Sequence, residues 1–206
     1  MPISPKRALI VIDVQNEYFT GSLPIEYPPT ERSLSNILLA MDTASASGIP
    51  VVIVQNSAPE ESPIFAKGSD GWALHPLVAS RSCQHYVEKM LPSAFSATDL
   101  MEWLTERQID TLTVVGYMTH NCDASTINHA AHAGFKVEFL ADASGSLSYK
   151  NQAGSASAEE IHRVFSVVFH SRFASVVSTK EWVDAVNVNQ AIERDSIWRS
   201  YCRAHI

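Results

Sequence analysis

The 206-residue sequence has few cysteines, few basic residues and no long apolar run. The cysteines Cys83, Cys122 and Cys202 form an odd and sparse set, which argues against a disulfide framework and for a reducing compartment, the cytoplasm. The 15 Lys and Arg against 22 Asp and Glu give a net charge of −7, so nucleic acid is not expected as a partner. No apolar run approaches the roughly 18 residues that span a bilayer, and residues 1–6 show no signal-peptide pattern. We therefore expect no membrane partner.

Glycine-rich phosphate loops are also absent. Gly21, the glycine after the first predicted strand, is isolated, and neither the Walker nor the dinucleotide spacing occurs. A nucleotide cofactor is therefore not expected. What the chain does have is 46% hydrophobic and 18% charged residues, which is typical of a folded domain with a sizeable core.

Short apolar runs alternate with segments of helical periodicity along the chain. Buried strands are predicted at 8–14, 49–55, 84–89, 111–116, 135–140 and 174–177. Helices are predicted between them, at 30–47, 98–107, 125–133 and 158–168. This alternation predicts an α/β fold with three αβα layers, in which helices cover both faces of a six-stranded, mostly parallel, Rossmann-like sheet.

Two long loops and a tail complete the predicted organisation. The loops at 20–29 and 57–76 are rich in proline and glycine, and loops of this length are usually lids or interface arms. We predict one domain over residues 1–186 and a C-terminal helical extension over 187–206. The tail carries Ile192, Ile197, Trp198 and Tyr201, which could pack on their own subunit or on another.

Three residues at predicted strand ends could carry chemistry, because ligands of such sheets sit beyond the carboxyl ends of the strands. Asp13 ends the first strand and is either a turn residue or a base. Cys122 lies at a strand-to-helix junction, where the helix end favours the thiolate; the alternative is an inert buried thiol. Lys89 could pair with Asp13 and help to hold Cys122 as thiolate, or be a surface residue.

The histidines suggest fewer roles. His120 lies two residues before Cys122, so a Cys–His dyad is conceivable, although residues two apart at a bend need not face each other. His129 and His132 have the i, i+3 spacing of a helical metal pair, but no third ligand is apparent, and a packed or solvated pair is the simpler interpretation. His75 either lines a pocket or caps a loop. No metal site is therefore predicted.

Three motifs in order carry a family resemblance: IDVQNEYF around Asp13, KMLPSAF from Lys89, and VVGYMTHNC ending at Cys122. This set resembles the isochorismatase-like cysteine hydrolase superfamily, over about residues 6–183. The resemblance implies that residues 1–186 form a hydrolase domain which cleaves amide C–N bonds of small molecules. It implies that Cys122 is the nucleophile, Asp13 the general base, and Lys89 the residue that orients Asp13.

Further features follow from the same resemblance. A cis peptide bond is implied at Tyr117–Met118, and the N–H groups of Met118 and Cys122 would form an oxyanion hole. The reaction would proceed through a thioester on Cys122 and would need no cofactor. The substrate would be a small amide, and the protein would be a homo-oligomer, a dimer or a tetramer.

The aromatic and polar residues near these motifs suggest a substrate pocket, for which core packing is the alternative explanation. The candidates are Phe19, Gln55, Trp72, Phe95 and Tyr117. The chain also departs from its relatives. Larger side chains precede Cys122 than in many relatives, and Gln55–Asn56–Ser57 stands where nicotinamidases carry an Asp-x-His metal site. A zinc nicotinamidase is therefore disfavoured.

Two alternatives to an amidohydrolase stay open. One is an isochorismatase-type vinyl-ether hydrolase, in which Asp13 acts as the acid and Cys122 takes no part. The other is a non-catalytic binding protein on the same fold, with an unreactive Cys122.

Overall fold

The computed structural model describes residues 4–206 and contains a six-stranded, fully parallel sheet. Its strands are β1 (Arg7–Ile12), β2 (Val51–Asn56), β3 (His85–Lys89), β4 (Thr111–Tyr117), β5 (Lys136–Gly145) and β8 (Ser175–Val177). Their order is β3-β2-β1-β4-β5-β8. A separate antiparallel hairpin is formed by β6 (Tyr149–Asn151) and β7 (Gly154–Ala156).

Helices cover both faces of the sheet, as predicted. They are α1 (Thr30–Ala46), α2 (Pro76–Ala79), α3 (Leu100–Glu106), α4 (Ala124–His132), α5 (Ala158–Val168), α6 (Thr179–Asn187) and α7 (Ile197–Arg203). Side chains of α1 and α6 pack on one face, and those of α3 and α4 pack on the other. The three-layer α/β architecture is therefore confirmed.

The central strands are buried on both faces, which explains their continuous apolar sequences. All six residues of β1 and all seven of β4 are buried. Alternate residues of β1 enter opposite layers, with Ile10 in one core and Leu9 in the other. Because β1 is a central strand, its carboxyl end lies in the middle of the edge at which the parallel strands end.

The structure differs from the predicted elements mainly in its second half. Helix α6 was not predicted, although Ser178 and Glu181 form a capping box at its start. Strand β5 continues to Gly145, five residues beyond its predicted end, because it resumes pairing with β4 after a register shift. The small β6–β7 hairpin was not predicted either, since all its residues but one are exposed and carry no apolar alternation.

The predicted C-terminal helix is shorter than the tail that was expected to form it. Helix α6 ends at Asn187, one residue past the predicted domain boundary, and α7 occupies only 197–203 of the tail. No side chain of α7 is buried, and Trp198 and Tyr201 are among its exposed residues. Within residues 4–206, no helix is both long and apolar enough to cross a membrane.

Candidate active site

The parallel strands bring the three predicted residues to one edge of the sheet. Asp13 directly follows β1, and Lys89 is the last residue of β3. Cys122 lies in a π-helical turn, Thr119–Asp123, between β4 and α4. All three therefore stand at the carboxyl ends of strands, where open α/β sheets bind ligands.

The three side chains form a compact buried cluster around one cation. Lys89 Nζ donates to Asp13 Oδ2 at 2.7 Å and lies 3.2 Å from Cys122 Sγ. The same nitrogen lies 3.3 Å from Asn56 Oδ1. The side chains of Asp13 and Lys89 have no solvent exposure, and Cys122 is 5% exposed. The surface alternative for Lys89 is therefore wrong, and the lysine is a core residue.

Backbone geometry holds Asp13 at this point. Its φ is +51°, a left-handed conformation that aspartate adopts more readily than most residues. Gly116 of β4 lies against the end of β1 with a φ of +116°, and a Cβ there would come within 2.0 Å of the carbonyl oxygen of Ile12. Only glycine therefore lets β4 approach the residue that precedes Asp13 so closely.

Burial and charge act in opposite directions on the ion pair. Burial raises the pKa of Asp13 above its ordinary value, although the charge and hydrogen bond of Lys89 lower it. Burial alone would lower the pKa of Lys89, but the charges of Asp13 and Cys122 raise it above the ordinary lysine value. The Lys89 side chain is therefore positively charged at neutral pH.

Burial and the neighbouring charges also shift the pKa of the thiol. Burial raises the pKa of Cys122 well above its ordinary value, and the Asp13 carboxylate raises it further, whereas Lys89 lowers it. The charge of Lys89 acts in the predicted direction, towards the thiolate, but burial has the larger effect on the thiol pKa. A protonated thiol must give its proton to a base before it can act as a nucleophile. Asp13 Oδ1 is a buried atom with no hydrogen-bond partner in residues 4–206.

Two amides that the sequence analysis did not assign support the cluster. Asn56 accepts from Lys89, and it pairs with Lys89 in the register of β2 and β3. Gln15 donates from Nε2 to the carbonyl of Asn56 at 2.9 Å and accepts from the Asn56 N–H, also at 2.9 Å. Gln15 also donates to the carbonyl of Trp72, and this hydrogen bond holds the loop at 57–76 next to the site. The available signal was their position, since Gln15 follows β1 by three residues and Asn56 is the last residue of β2.

Two of the predicted substrate-binding residues are half-buried and border the site. The ring of Phe19 lies 4.5 Å from that of His75 and 5.8 Å from that of Tyr117. Trp72 donates from its indole Nε1 to Ser57 Oγ at 2.7 Å. Phe19 and Trp72 are each half-buried rather than fully buried.

The other three predicted residues are buried, and the polar groups of two already have partners. Gln55 donates to the carbonyl of Trp72 and accepts from Tyr86 Oη. Tyr117 Oη lies 2.7 Å from Ser33 Oγ, so its hydroxyl faces α1. Phe95 stacks on His129 and belongs to the same buried cluster as Cys122. Gln55 and Tyr117 therefore have structural hydrogen bonds.

The structure does not join His120 to the thiol. His120 Nδ1 lies 3.1 Å from Ser146 Oγ, its ring meets Tyr149 edge-on, and its buried Nε2 has no hydrogen-bond partner in residues 4–206. Burial lowers the pKa of His120 to about 4, so the ring is neutral at physiological pH.

The remaining histidines are packed against other side chains. The ring of His132 lies against Phe173, and His75 Nδ1 accepts the N–H of Leu77 at the start of α2. No group of three His, Cys, Asp or Glu side chains in the described part of the chain is arranged to hold a metal ion.

The Tyr117–Met118 peptide bond, directly before the turn that carries Cys122, is cis.

Two tyrosines lie near the same turn. Tyr149 of the hairpin places its hydroxyl 3.9 Å from the sulfur of Met118. Tyr18 is buried, and burial followed by the charges of Cys122 and Asp13 raises the pKa of its phenol. The sequence pattern did not indicate Tyr18 or Tyr149, because it did not predict the short helical turn at 16–18 or the hairpin.

A cavity of about 800 Å³ lies at the opposite edge of the sheet. Its lining includes Lys6 and Pro50, which precede β1 and β2. It also includes Gly48 and Arg107, which follow α1 and α3. None of the clustered residues at the carboxyl ends contributes to it. Size alone therefore does not locate the functional site, whereas the buried reactive cluster does.

Comparison with known proteins agrees with the geometry. The sequence model of the isochorismatase domain matches residues 7–181. A putative isochorismatase from Burkholderia xenovorans LB400 is 65% identical, with a TM-score of 0.98 and 98% of both chains covered. A cysteine hydrolase from Pseudomonas syringae pv. phaseolicola 1448A is 25% identical, with a TM-score of 0.84, 92% of this chain and 96% of that chain covered. The Escherichia coli (strain K12) nicotinamidase is 25% identical over 67% of this chain and 82% of its own length.

Proposed function

The chain belongs to the isochorismatase family, and we propose that it is a cysteine hydrolase which cleaves a C–N bond of a small amide or ureido compound. The observation that carries this proposal is the contact of one buried ammonium, that of Lys89, with both Asp13 and Cys122. A nucleophile, a base and a fixed cation in contact are the groups that acyl transfer to a thiol requires. The similarity to a cysteine hydrolase and to an amidase supports the same reaction class.

In the first half of the proposed reaction, Asp13 is the base. Its unpartnered Oδ1 takes the proton of the Cys122 thiol, and the resulting thiolate attacks the substrate carbonyl carbon. As the C–N bond breaks, Asp13 returns the proton to the leaving nitrogen. The products of this half are ammonia or an amine and a thioester on Cys122.

In the second half, water replaces the amine. Asp13 takes a proton from water, which attacks the thioester carbonyl. The C–S bond then breaks, the acid is released, and Asp13 returns the proton to the sulfur to restore the thiol. Lys89 keeps its proton throughout. Its charge compensates whichever of Asp13 and Cys122 is anionic, so the negative charge can move between them without leaving the buried cluster unpaired.

The developing oxyanion needs donors beside the thiol. We assign this role to the backbone N–H groups of Met118, which directly precedes the turn Thr119–Asp123, and of Cys122 within that turn. We assign substrate contacts first to Phe19 and Trp72, because both residues are only half-buried. Gln55, Phe95 and Tyr117 shape the surrounding walls. We also propose that residues 1–186 form the hydrolase domain, that 187–206 are an extension, and that the chain forms a homo-oligomer.

The proposal is tested by ammonia release from a panel of small amides with the wild type and Cys122→Ala. The panel contains nicotinamide, an N-carbamoyl amino acid, a ureido acid and maleamate. We expect release by the wild type from at least one compound and none by Cys122→Ala. Cys83→Ala is the matched control, because it removes a half-buried thiol outside the cluster and should keep the activity.

Two outcomes would overturn the proposal. Equal release by the wild type and Cys122→Ala would remove the thiol from the mechanism. Silence across the panel, together with hydrolysis of a vinyl ether that survives Cys122→Ala, would assign the site to vinyl-ether hydrolysis with Asp13 as the acid.

A further inference from the structure

Glu17 is a buried acidic residue that lies where the two long loops meet. It belongs to the short helical turn at 16–18 and is 5% exposed. Its Oε1 accepts the N–H of Ser22 at 2.5 Å, and its Oε2 lies 3.5 Å from the nitrogen of Phe65. Ser22 belongs to the loop at 20–29 and Phe65 to the loop at 57–76, so one carboxylate contacts both loops. The proposed reaction does not use this side chain.

One glycine of each loop packs directly on Glu17. A Cβ at Gly71 would come within 2.3 Å of Glu17 Oε2, and a Cβ at Gly21 within 2.6 Å of Glu17 Cα. Neither glycine has a positive φ, so the close approach to Glu17 is what requires glycine at these two positions. Both loops therefore reach this residue at distances that any other side chain would prevent.

Backbone hydrogen bonds hold the loop at 57–76 at the same place. Glu17 and Asn16 donate their N–H groups to the carbonyls of Gly71 and Ala73, both at 2.9 Å. The carbonyl of Trp72, which lies between them, accepts from the side-chain amide of the residue before Asn16. Three consecutive carbonyls of this loop are therefore bonded to the segment that follows β1.

These contacts lie next to the two aromatic residues that we assign to the substrate. Phe19 follows Glu17 by two residues, and Trp72 directly follows Gly71. Glu17 itself lies on the segment that leads from Asp13 to the loop at 20–29. A displacement of either loop at Glu17 would therefore move an aromatic ring relative to the reactive cluster, because only one or two residues separate them.

Building on the proposed hydrolase function, we propose that Glu17 is a positioning residue for the substrate pocket. Its carboxylate holds the loops at 20–29 and 57–76 together and thereby fixes Phe19 and Trp72 relative to each other. A carboxylate suits this place because it offers two acceptor oxygens to the N–H groups of the two loops. Glu17 acts through the loops, so it should affect substrate binding and leave the chemical step unchanged.

Amide hydrogen exchange tests this proposal without a substrate. In Glu17→Ala the N–H groups of Ser22 and Phe65 lose their acceptor, and both loops lose a packing partner. We expect exchange in both loops at least about tenfold faster than in the wild type, with β1 and β4 unchanged. Unchanged exchange in either loop would overturn the proposal.

A second carboxylate of the loop at 20–29 provides the matched control. Glu26 is exposed and bonds Ser148, which precedes the β6–β7 hairpin. Glu26→Ala should therefore leave exchange in the loop at 57–76 unchanged. Equal acceleration of this loop in Glu17→Ala and Glu26→Ala would contradict a specific role of Glu17.

Two glycine variants test whether the contact with Glu17 is direct. Gly71→Ala places a Cβ against Glu17 Oε2, so it should speed exchange in the wild type but have no further effect in Glu17→Ala, which lacks that oxygen. Gly21→Ala places its Cβ against Glu17 Cα, which Glu17→Ala keeps, so its effect should persist in both proteins. Additive effects of Gly71→Ala and Glu17→Ala would overturn the direct contact.

Steady-state kinetics separate positioning from a merely structural role. We expect KM of Glu17→Ala to rise about tenfold while kcat stays within about twofold, because substrate binding is weakened and the reactive cluster is intact. Partial unfolding would instead lower kcat at an unchanged KM. Glu17→Gln keeps one acceptor and replaces the other with a donor, so its KM should lie between those of the wild type and Glu17→Ala.

The two proposals fail separately. An unchanged KM in Glu17→Ala would overturn the positioning role, whatever happens to kcat. If no compound of the panel is hydrolysed, the exchange experiment still decides whether Glu17 holds both loops.

Discussion

Lys89 and Asp13 form an ion pair in which neither side chain is exposed to solvent, with 2.7 Å between Nζ and Oδ2. Two buried charges are stable together because each compensates the desolvation of the other. The same ammonium contacts Cys122 Sγ, so one cation serves both the base and the nucleophile of the proposed reaction. The same buried ion pair therefore affects both the stability of the fold and the proposed reaction.

Breaking this ion pair should destabilise the protein strongly. Lys89→Met leaves Asp13 buried without a counter-charge, and we expect a loss of about 3–5 kcal/mol in the free energy of unfolding. The double variant Lys89→Met/Asp13→Asn removes both charges, so it should regain much of that stability while remaining inactive. Urea denaturation together with ammonia release measures both effects.

An exposed ion pair provides the control for this experiment. Lys67 and Glu88 lie 2.6 Å apart, but the lysine side chain is 56% exposed. Lys67→Met should therefore cost at most about 1 kcal/mol. Equal losses for the two lysine variants would contradict the buried-charge explanation.

Activity should fall on the acid side at a higher pH than an ordinary aspartate would give. Burial raises the pKa of Asp13, so the carboxylate takes up its proton earlier as pH decreases and can no longer act as a base. We expect kcat/KM to decrease about tenfold per pH unit below that point. A profile that stays flat down to about pH 4 would show that Asp13 is not the base.

Gly116 should be irreplaceable for a steric reason. In Gly116→Ala the new Cβ would meet the carbonyl of Ile12, so β1 and the following Asp13 must shift. We expect a loss of at least about 3 kcal/mol and a large loss of activity. Gly48 also has a positive φ, but nothing lies within 4 Å of its Cβ position, so Gly48→Ala should cost only about 1 kcal/mol and keep the activity. Thermal denaturation and ammonia release separate the two variants.

Two aromatic residues should respond differently to substitution. Tyr117→Phe removes the hydroxyl that contacts Ser33, so we expect a stability loss of about 1 kcal/mol with little change in KM. Phe19→Ala removes a half-buried ring beside the site and should raise KM. Steady-state kinetics on the substrate identified by the panel test this contrast. A raised KM in Tyr117→Phe would instead assign its hydroxyl to substrate binding.

Much of the fold was predictable because buried strands have continuous apolar sequences. Continuous apolar runs predicted β1, β2 and β4, whose residues are buried on both faces of the sheet. The rule that ligands lie beyond the strand ends then selected Asp13 and Lys89 as neighbours of Cys122. For α6, the local signal in the sequence is the capping box formed by Ser178 and Glu181.

Other features depended on contacts that no local pattern contains. The continuation of β5 through Ser144 is decided by its pairing with β4, and its sequence there is not apolar. The hydroxyl of Tyr117 turned out to face Ser33, which lies 84 residues away in the chain. Side-chain direction of this kind follows from packing, so residue type alone could not separate substrate contacts from core contacts.

The sequence by itself determined the alternation of strands and helices, the strand-end positions of Asp13, Lys89 and Cys122, and the resemblance to cysteine hydrolases. Only the tertiary structure decided which way the pKa values at the site are shifted. It buries the thiol of Cys122 and the carboxyl of Asp13, and burial raises the pKa of both groups above their ordinary values. Both outcomes have the same physical reason, because the cost of a buried charge depends on which groups the fold brings around it.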